Sequence, residues 1–309
     1  MEYTSLVGLV VELREVQGQT WPQIGELLNR DPEAVRSLYR REKDNIFVPD
    51  ISVEAQDISI TNGTARVAFP TDEHYPYQDE QARNIALQIV EDFNPNVIVS
   101  GSDGVDFYAL SKFDKNPDRQ FGVQREIDLW MRGQAEWHSA APTARRIFIV
   151  GNHEDRLRRY LWSKPELHSL RAVELYNLLE LEKQQIEYSP REIIFFDKLV
   201  IRHGAVIRKY SAYTAKAELE KEKFAISVLS GHTHRGGSFF TSNRNGTVQA
   251  HECFCLCDLD PEYADRPDWQ QGIVLATVSN QVLNVEPILF HTRSGKRVAF
   301  WHDKMYTSN

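Results

Sequence analysis

Histidines and carboxylates recur in this chain at one kind of place, just after short runs of β-branched and other apolar residues. Asp72 and His74 follow the run 67–69, Asp103 follows 97–100, and Asn152 and His153 follow 147–150. His203 follows 199–202, and His232 and His234 follow 225–229 in the phrase Ser-Gly-His-Thr-His. Apolar runs of this length read as buried strands, and ligands collect beyond the carboxyl ends of strands in α/β sheets. Taken singly, an Asp-x-His or a His-Gly arises readily by chance. Gly-His-x-His is stronger, because alternate residues leaving a strand point to one side. Five of the chain's 10 histidines lie at such strand exits, which core filling does not explain. The remaining five (His138, His168, His251, His291 and His302) share no context and read as structural or surface residues.

Imidazoles mixed with carboxylates suit manganese, iron, nickel, cobalt or zinc better than the all-oxygen sites of calcium or magnesium. The expectation is two divalent transition-metal ions, manganese first among them. A carboxylate such as Asp103 can bridge two ions about 3.5–4 Å apart. Such a pair lowers the pKa of a bound water toward neutrality, polarises a phosphoryl oxygen and clamps the entering and leaving oxygens of an in-line displacement. Asn152, a neutral donor, limits the total negative charge and so the repulsion of a phosphate.

The elements that must position these groups alternate from about residue 67. Strands are expected over 67–69, 97–100, 146–150, 193–196, 199–202 and 225–229. Helices are expected over 79–93, 123–138, 155–161, 165–181 and 211–223. Beyond Gly236 the text turns to strands and turns, over 238–241, 247–256, 272–278, 285–290 and 297–301. The fold class is α/β, a layered sandwich over 67–309 whose later part is β-rich. Residues 45–66, with Pro49, Asp50, Asn62 and Gly63 between β-prone pieces at 46–48 and 58–60, read as linker.

Residues 1–44 read as a separate small three-helix domain. Leu6, Leu9, Val10, Leu13 and Val16 recur at helical spacing, and Thr20 and Asp31 each precede a helix with a proline in its first turn. A tight turn at 29–31 between the last two helices gives a helix-turn-helix pattern. The phrase over 20–41 resembles the DNA-binding tri-helical modules of sigma factors and Myb-like proteins. Arg36, Arg40 and Arg41 on its last helix are the expected nucleic-acid contacts. Acidic residues nearly balance the basic ones here, so a protein-contact or dimerisation module is the competing reading.

As a set, Asp72-x-His74, Ser102-Asp103-x-x-Asp106, Gly151-Asn152-His153-Glu154, His203-Gly204 and Gly231-His232-x-His234 resemble the calcineurin-like metallophosphoesterase family, in the family's order and over about residues 67–236. The resemblance implies a sandwich of two packed mixed sheets flanked by helices, with one metal held by Asp72, His74, Asp103 and His234, and a second held by Asp103, Asn152, His203 and His232. It implies His153 as the general acid or phosphate-orienting group, with Asp106 as the carboxylate that holds it. The wording around the motifs is most similar to phage-encoded members, in Asp106-Phe107-Tyr108, in Asn152 to Arg156, in Cys255 to Tyr263 and in Trp269 to Gly272. One departure is Ser102, where the family usually has glycine directly before the bridging Asp. A serine at that turn is expected to tighten the loop.

The Asp-Arg-Gly that follows the second motif in protein phosphatases is absent, since Asp106 runs into Phe107-Tyr108. The expected activity is therefore a phosphodiesterase or nuclease using a metal-bound hydroxide on nucleic acid, DNA in the first place. Arg156 and Arg235 lie closest in sequence to the ligands and are the expected phosphate contacts. Arg158, Arg159, Arg208, Lys209 and Arg244 stand behind them, and Tyr160 and Trp162 are candidate stacking platforms. Two other readings compete, a phosphatase or phosphodiesterase for small nucleotides and a DNA-binding protein with an inactive phosphoesterase domain. No ligand position of the motif set is missing, which argues against the inactive reading.

A net charge of -8 in 309 residues argues against holding nucleic acid by bulk charge alone. Cys253, Cys255 and Cys257 alternate, so they share one strand face and are poorly placed to bridge each other. They read as small buried hydrophobes of a reduced, cytoplasmic protein, in a host cytoplasm if the chain is phage-encoded. No apolar run approaches the roughly 20 residues that span a bilayer, and the run 6–11 lacks the basic leader and cleavage site of a signal peptide.

Overall fold

The computed structural model describes residues 9–10, 13–14, 18–42, 56–57, 63–112, 114–116, 122–261 and 267–308. The chain divides into two compact units, Met1–Val53 and Glu54–Asn309.

In the first unit, α1 (Trp21–Leu28) starts where Gln23 accepts a hydrogen bond from the Thr20 backbone at 2.8 Å, with Pro22 in the opening turn. It stops at Asn29, whose φ of 50° closes the helix in the left-handed region. Asp31 then caps α2 (Pro32–Glu42), accepting from the Glu33 and Ala34 amides at 3.0 and 2.9 Å. Val10, Leu13, Ile24 and Val35 form the small interior, with Trp21, Leu28 and Tyr39 packed on it. The helix expected over 6–16 falls mostly outside the described residues, although residues 9 and 10 are helical. Arg36 is partly exposed and pairs with Glu33 at 3.3 Å. Arg40 and Arg41 continue α2, and their side chains lie outside the described residues.

The second unit is built on two six-stranded mixed sheets, as expected. One contains β2 (Thr64–Phe69), β3 (Val97–Gly101), β4 (Arg145–Ile149) and β5 (Ile186–Ser189) as parallel neighbours, and then β11 (Gly272–Ser279) and β12 (Leu283–Leu289) antiparallel on the β2 side. The other runs β1 (Gln56–Asp57), β6 (Glu192–Phe195), β7 (Leu199–Arg202), β8 (Ser227–Ser230), β10 (Gly246–Cys253), β9 (Gly236–Asn243), with β7, β8 and β10 parallel. Alternation sorts the faces. Val97, Val99, Ile147 and Ile149 meet Ile193, Phe195, Leu199, Ile201 and Leu229 between the sheets. Ile98 and Leu275 point the other way, onto Ile85 and Ile89 of α3 (Glu80–Phe93) and Trp137 of α4 (Val123–Ala140). Across the molecule, Ala215 and Leu219 of α8 (Tyr213–Lys221) cover Val228 and Ala250. The result is four layers, with helices on both outer faces.

Three expectations change. The expected linker over 45–66 contributes β1 and the first residues of β2, because Thr64 to Arg66 pair with Ser279 to Thr277 of β11. The pieces at 46–48 and 58–60 lie outside the described residues. The helix expected over 165–181 is instead α6 (Pro165–His168), a 3-10 turn at Arg171–Val173 and α7 (Leu175–Leu178). Leu167 and Leu170 are exposed there, so no continuous stripe is buried to hold one long helix. Finally, a three-stranded sheet of β13 (His291–Arg293), β14 (Lys296–Trp301) and β15 (Lys304–Thr307) closes the chain, and of these only β14 was expected. No described helix is long and apolar enough to cross a membrane.

Candidate metal centre

Each candidate ligand sits on a loop leaving the carboxyl end of a parallel strand. β2, β3 and β4 deliver Asp72, His74, Asp103, Asn152 and His153 from one sheet, and β7 and β8 deliver His203, His232 and His234 from the other. Face-to-face packing brings both sets to the same end. α5 (Asp155–Trp162) follows the β4 loop. The loops leave the strands sharply. Asp72, His74, Ser102, Asp103, His232 and His234 take φ values of 52°, 52°, 53°, 64°, 75° and 57°. Non-glycine residues in the left-handed region carry strain, and such strain concentrates at functional sites.

The side chains converge as two groups. In the first, His74 Nε2 and His234 Nε2 lie 3.0 Å apart, and Asp72 Oδ1 is 3.2 Å from the latter. Asp103 Oδ2 stands 3.9 Å from His74 Nε2. In the second, His203 Nε2 lies 2.8 Å from Asn152 Oδ1, 3.0 Å from His232 Nδ1 and 3.3 Å from Asp103 Oδ2. One oxygen of Asp103 thus serves both groups. These two groups bring together the seven residues named as candidate ligands, with Asp103 Oδ2 facing both.

The donor chemistry fits a pair of divalent cations. His74 turns its Nδ1 to Asp106 Oδ2 at 3.1 Å, leaving Nε2 for the cluster. Burial presses the His74 imidazole down, but Asp106, Asp72 and Asp103 outweigh it and hold it up at about 10. Burial, reinforced by His232, keeps His203 well below the usual histidine range, and burial takes His232 down to about 4. Neutral imidazole is the ligating form.

His153 stands beside the cluster, with Nε2 3.8 Å from Asp103 Oδ2. Its Nδ1 faces Asp106 Oδ2 at 3.2 Å, and Arg156 donates to its Nε2 at 2.9 Å. Burial would raise the Asp106 carboxyl, but His153, His74 and Arg156 outweigh it and hold it well below the usual range. Asp106 therefore faces two imidazoles and one guanidinium as a carboxylate. Burial, Arg156 and His74 together push His153 well down.

The supporting groups explain residues whose roles the sequence leaves open. Glu154 is buried, and its carboxylate accepts the Gly151, Asp103 and Val105 amides at 2.8, 3.1 and 3.0 Å. It ties the Asp103 loop to the Asn152-His153 loop. Gly151 permits the approach, since a Cβ there would meet Asp103 Oδ1 at 2.1 Å. Ser102 occupies the left-handed turn and directs its hydroxyl to His203 Nδ1 at 2.8 Å, fixing the ring that faces Asp103. Thr71 donates to Asp72 Oδ2 at 2.7 Å, a positioning contact with no signal in the sequence motif. Outer hydrogen bonds of this kind typically change metal affinity by roughly 10- to 100-fold. Ser102→Ala is therefore expected to weaken metal binding by about 10-fold, measured by titration calorimetry on metal-stripped protein. Unchanged affinity would remove Ser102 from the ligand-orienting set.

The expected phosphate contacts divide. Arg156 flanks the cluster, bonded to Asp106 and His153. Arg235 does not point that way. It is 7% exposed, donates to the carbonyls of Arg208 and Lys209 at 2.8 and 3.2 Å, and pairs with Glu252 at 3.3 Å. This corrects its expected role, because its guanidinium holds a loop instead of facing the cluster. Cys253, Cys255 and Cys257 are buried and free, as expected. Cys257 Sγ lies 3.8 Å from His234 Nδ1, while His251 is held by Ser238 and Gln249 at 2.8 and 2.9 Å, away from any ligand role.

No family model matches the chain, and no curated protein does. Among solved structures, the chain is similar to a double mutant of Vps29 from Entamoeba histolytica. The two are 9% identical, and the match covers 79% of this chain and 97% of that one at a TM-score of 0.36.

Proposed function

We propose that this chain is a phosphoesterase dependent on two divalent transition-metal ions, and that it hydrolyses phosphodiester bonds in DNA. The observation that supports this best is the convergence of two donor groups on one shared oxygen, Asp103 Oδ2. Asp72, His74, Asp103 and His234 would hold one ion, and Asp103, Asn152, His203 and His232 the other. Bound there, a metal pair supplies the charge that polarises a phosphoryl oxygen and ionises water near neutral pH. Manganese suits this mixed nitrogen and oxygen donor set.

The chain's own residues supply the rest. Asp106 holds His153 by its Nδ1, so the opposite nitrogen, Nε2, is the one that addresses the substrate. A phosphodiester beside Arg156 draws the guanidinium off His153 Nε2 and adds negative charge, which raises the proton affinity of the ring. His153 is then placed to orient the phosphate or to give a proton to the leaving oxygen. General acid groups of this kind contribute roughly 10²- to 10⁴-fold. His153→Ala is expected to lower DNA cleavage by about that factor with manganese present while metal content stays the same. If the purified protein instead hydrolyses p-nitrophenyl esters or cyclic nucleotides and leaves DNA and RNA intact at high enzyme excess, the substrate is a small nucleotide and the nuclease reading is wrong.

The first unit is proposed to bind DNA through α2, with Arg36, Arg40 and Arg41 as the contacts. Removing residues 1–53 should weaken duplex DNA binding by 10-fold or more in an anisotropy titration and leave turnover of a chromogenic diester within about twofold. Unchanged DNA affinity would reassign the unit to protein contacts.

A further inference from the structure

We infer that the loop 205–212, with Tyr213 after it, is a stacking platform that holds single-stranded DNA at the rim of the metal centre. This rests on the nuclease reading and names the form of DNA that the site takes.

The loop begins directly after His203-Gly204, where a ligand has just left β7. It is tied back at Arg235, one residue past the ligand His234, whose guanidinium donates to the Arg208 and Lys209 carbonyls. The loop therefore starts two residues after one candidate ligand, His203, and is fastened by the residue that follows another, His234. Its backbone is fixed along its length. Glu218 accepts the Ala205 and Val206 amides at 3.0 Å each, Thr214 Oγ1 accepts the Arg208 amide at 3.1 Å, and Glu252 accepts the Ala212 amide. Glu218 and Glu252 are fully buried. Ala212 sits at φ 68° and packs where only a glycine lets it, since a Cβ on Gly237 would meet the Ala212 nitrogen at 2.4 Å.

The side chains on this fixed backbone are in the open. Ile207, Tyr210 and Tyr213 are 56%, 57% and 63% exposed, and the two tyrosine rings lie 5.8 Å apart. Arg208 and Lys209 are exposed between them, with the Lys209 ammonium 5.2 Å from the Tyr210 ring centre. Ordering a loop costs conformational entropy, and exposed apolar clusters rimmed by polar groups mark interaction surfaces. Aromatic faces beside cations match the two surfaces of a single strand, stacked bases and phosphates. A duplex keeps its base faces covered by neighbouring pairs, so only an unpaired strand can use the rings. Chain continuity with a phosphodiester-hydrolysing centre selects nucleic acid over a protein partner, and the DNA reading of the first unit selects DNA.

The test is equilibrium anisotropy with a fluorescein-labelled oligodeoxythymidylate, using full-length protein carrying His153→Ala so that the probe survives. Tyr210→Ala with Tyr213→Ala should weaken binding by 10- to 100-fold, while Tyr210→Phe with Tyr213→Phe stays within twofold of the parent. Arg208→Ala with Lys209→Ala should lower the slope of log affinity against log salt by about 1.4, near 0.7 per phosphate contact. Equal affinity of the double alanine variant and its parent overturns the platform alone, provided the parent binds and wild-type protein cleaves the oligonucleotide. A wild-type protein that turns over a chromogenic diester, with a parent that binds no oligonucleotide, overturns the nuclease reading together with this one. Tighter binding of oligouridylate than of oligodeoxythymidylate overturns DNA as the occupant. A dimer in sedimentation velocity that the alanine variant dissolves assigns the face to a second copy.

Discussion

Asp103→Asn is expected to lower phosphodiester hydrolysis by roughly 10³-fold or more and, in the metal-free protein, to raise the melting temperature. Both effects come from one carboxylate. Asp103 is 1% exposed, and its Oδ2 is the atom that faces His74 and His203 alike. An amide has the same shape and can keep the Oδ1 contact that receives the His153 backbone amide at 2.7 Å, so the loop should persist. It cannot supply the bridging charge. Burial, together with Glu154 and Asp72, works against a charged Asp103, which holds its carboxyl well above the usual range against the pull of His74. Removing that charge relieves the metal-free fold and disables the centre. The paired readouts are initial rates on a chromogenic diester with manganese and calorimetric melting in chelator. A variant with near-parental rates would mean that Asp103 bridges nothing. One that melts lower without metal would mean that the carboxylate is a structural group.

Glu154→Ala is expected to lower stability by ~3 kcal/mol and to take activity with it. The substitution leaves the amides of Gly151, Asp103 and Val105 without their acceptor. Each buried donor left unpaired costs about 1–3 kcal/mol. The carboxylate itself is costly to bury, since burial raises its pKa against the pull of those amides, so the net loss is smaller than three full penalties. For a domain of this size that is a fall of roughly 10 °C in melting temperature. Activity should fall further than stability, because the same bonds set the Asp103 loop against the loop of Asn152 and His153. A melting temperature within 2 °C of the parent, measured by calorimetry, would contradict the tie.

Much of the site was legible because strand ends are easy to see and a parallel sheet brings them to one edge. Short apolar runs marked β2, β3, β4, β7 and β8 closely enough to place every candidate ligand after its strand. The pairing of the Gly231-His232 loop with the Asp72 loop from the other sheet was not visible in either segment. Yet the His232 amide donates to both Asp72 oxygens at 3.1 Å. Side-chain roles that depend on direction were harder to read. Arg235 follows a ligand and reads as a phosphate contact, but it turns to the loop carbonyls and Glu252 because a buried carboxylate stands beside it. Ser102 looked like a departure at a turn, and its hydroxyl orients His203. Short strands without strong alternation, β5 and β15, escaped, β5 because its partner β4 lies some 40 residues earlier, Arg146 facing Ile186. The turn between β14 and β15 uses His302 and Asp303 in the left-handed region, φ 46° and 60°, without the glycine that usually announces such a hairpin.

Asp103 is proposed to join two metal ions in one centre. The most direct measurement is metal content by mass spectrometry after reconstitution with manganese, combined with electron paramagnetic resonance of the same sample. The geometry predicts two ions per chain and a spin-coupled spectrum that Asp103→Asn converts to isolated manganese. One ion per chain, or two that show no coupling in the parent, would contradict it.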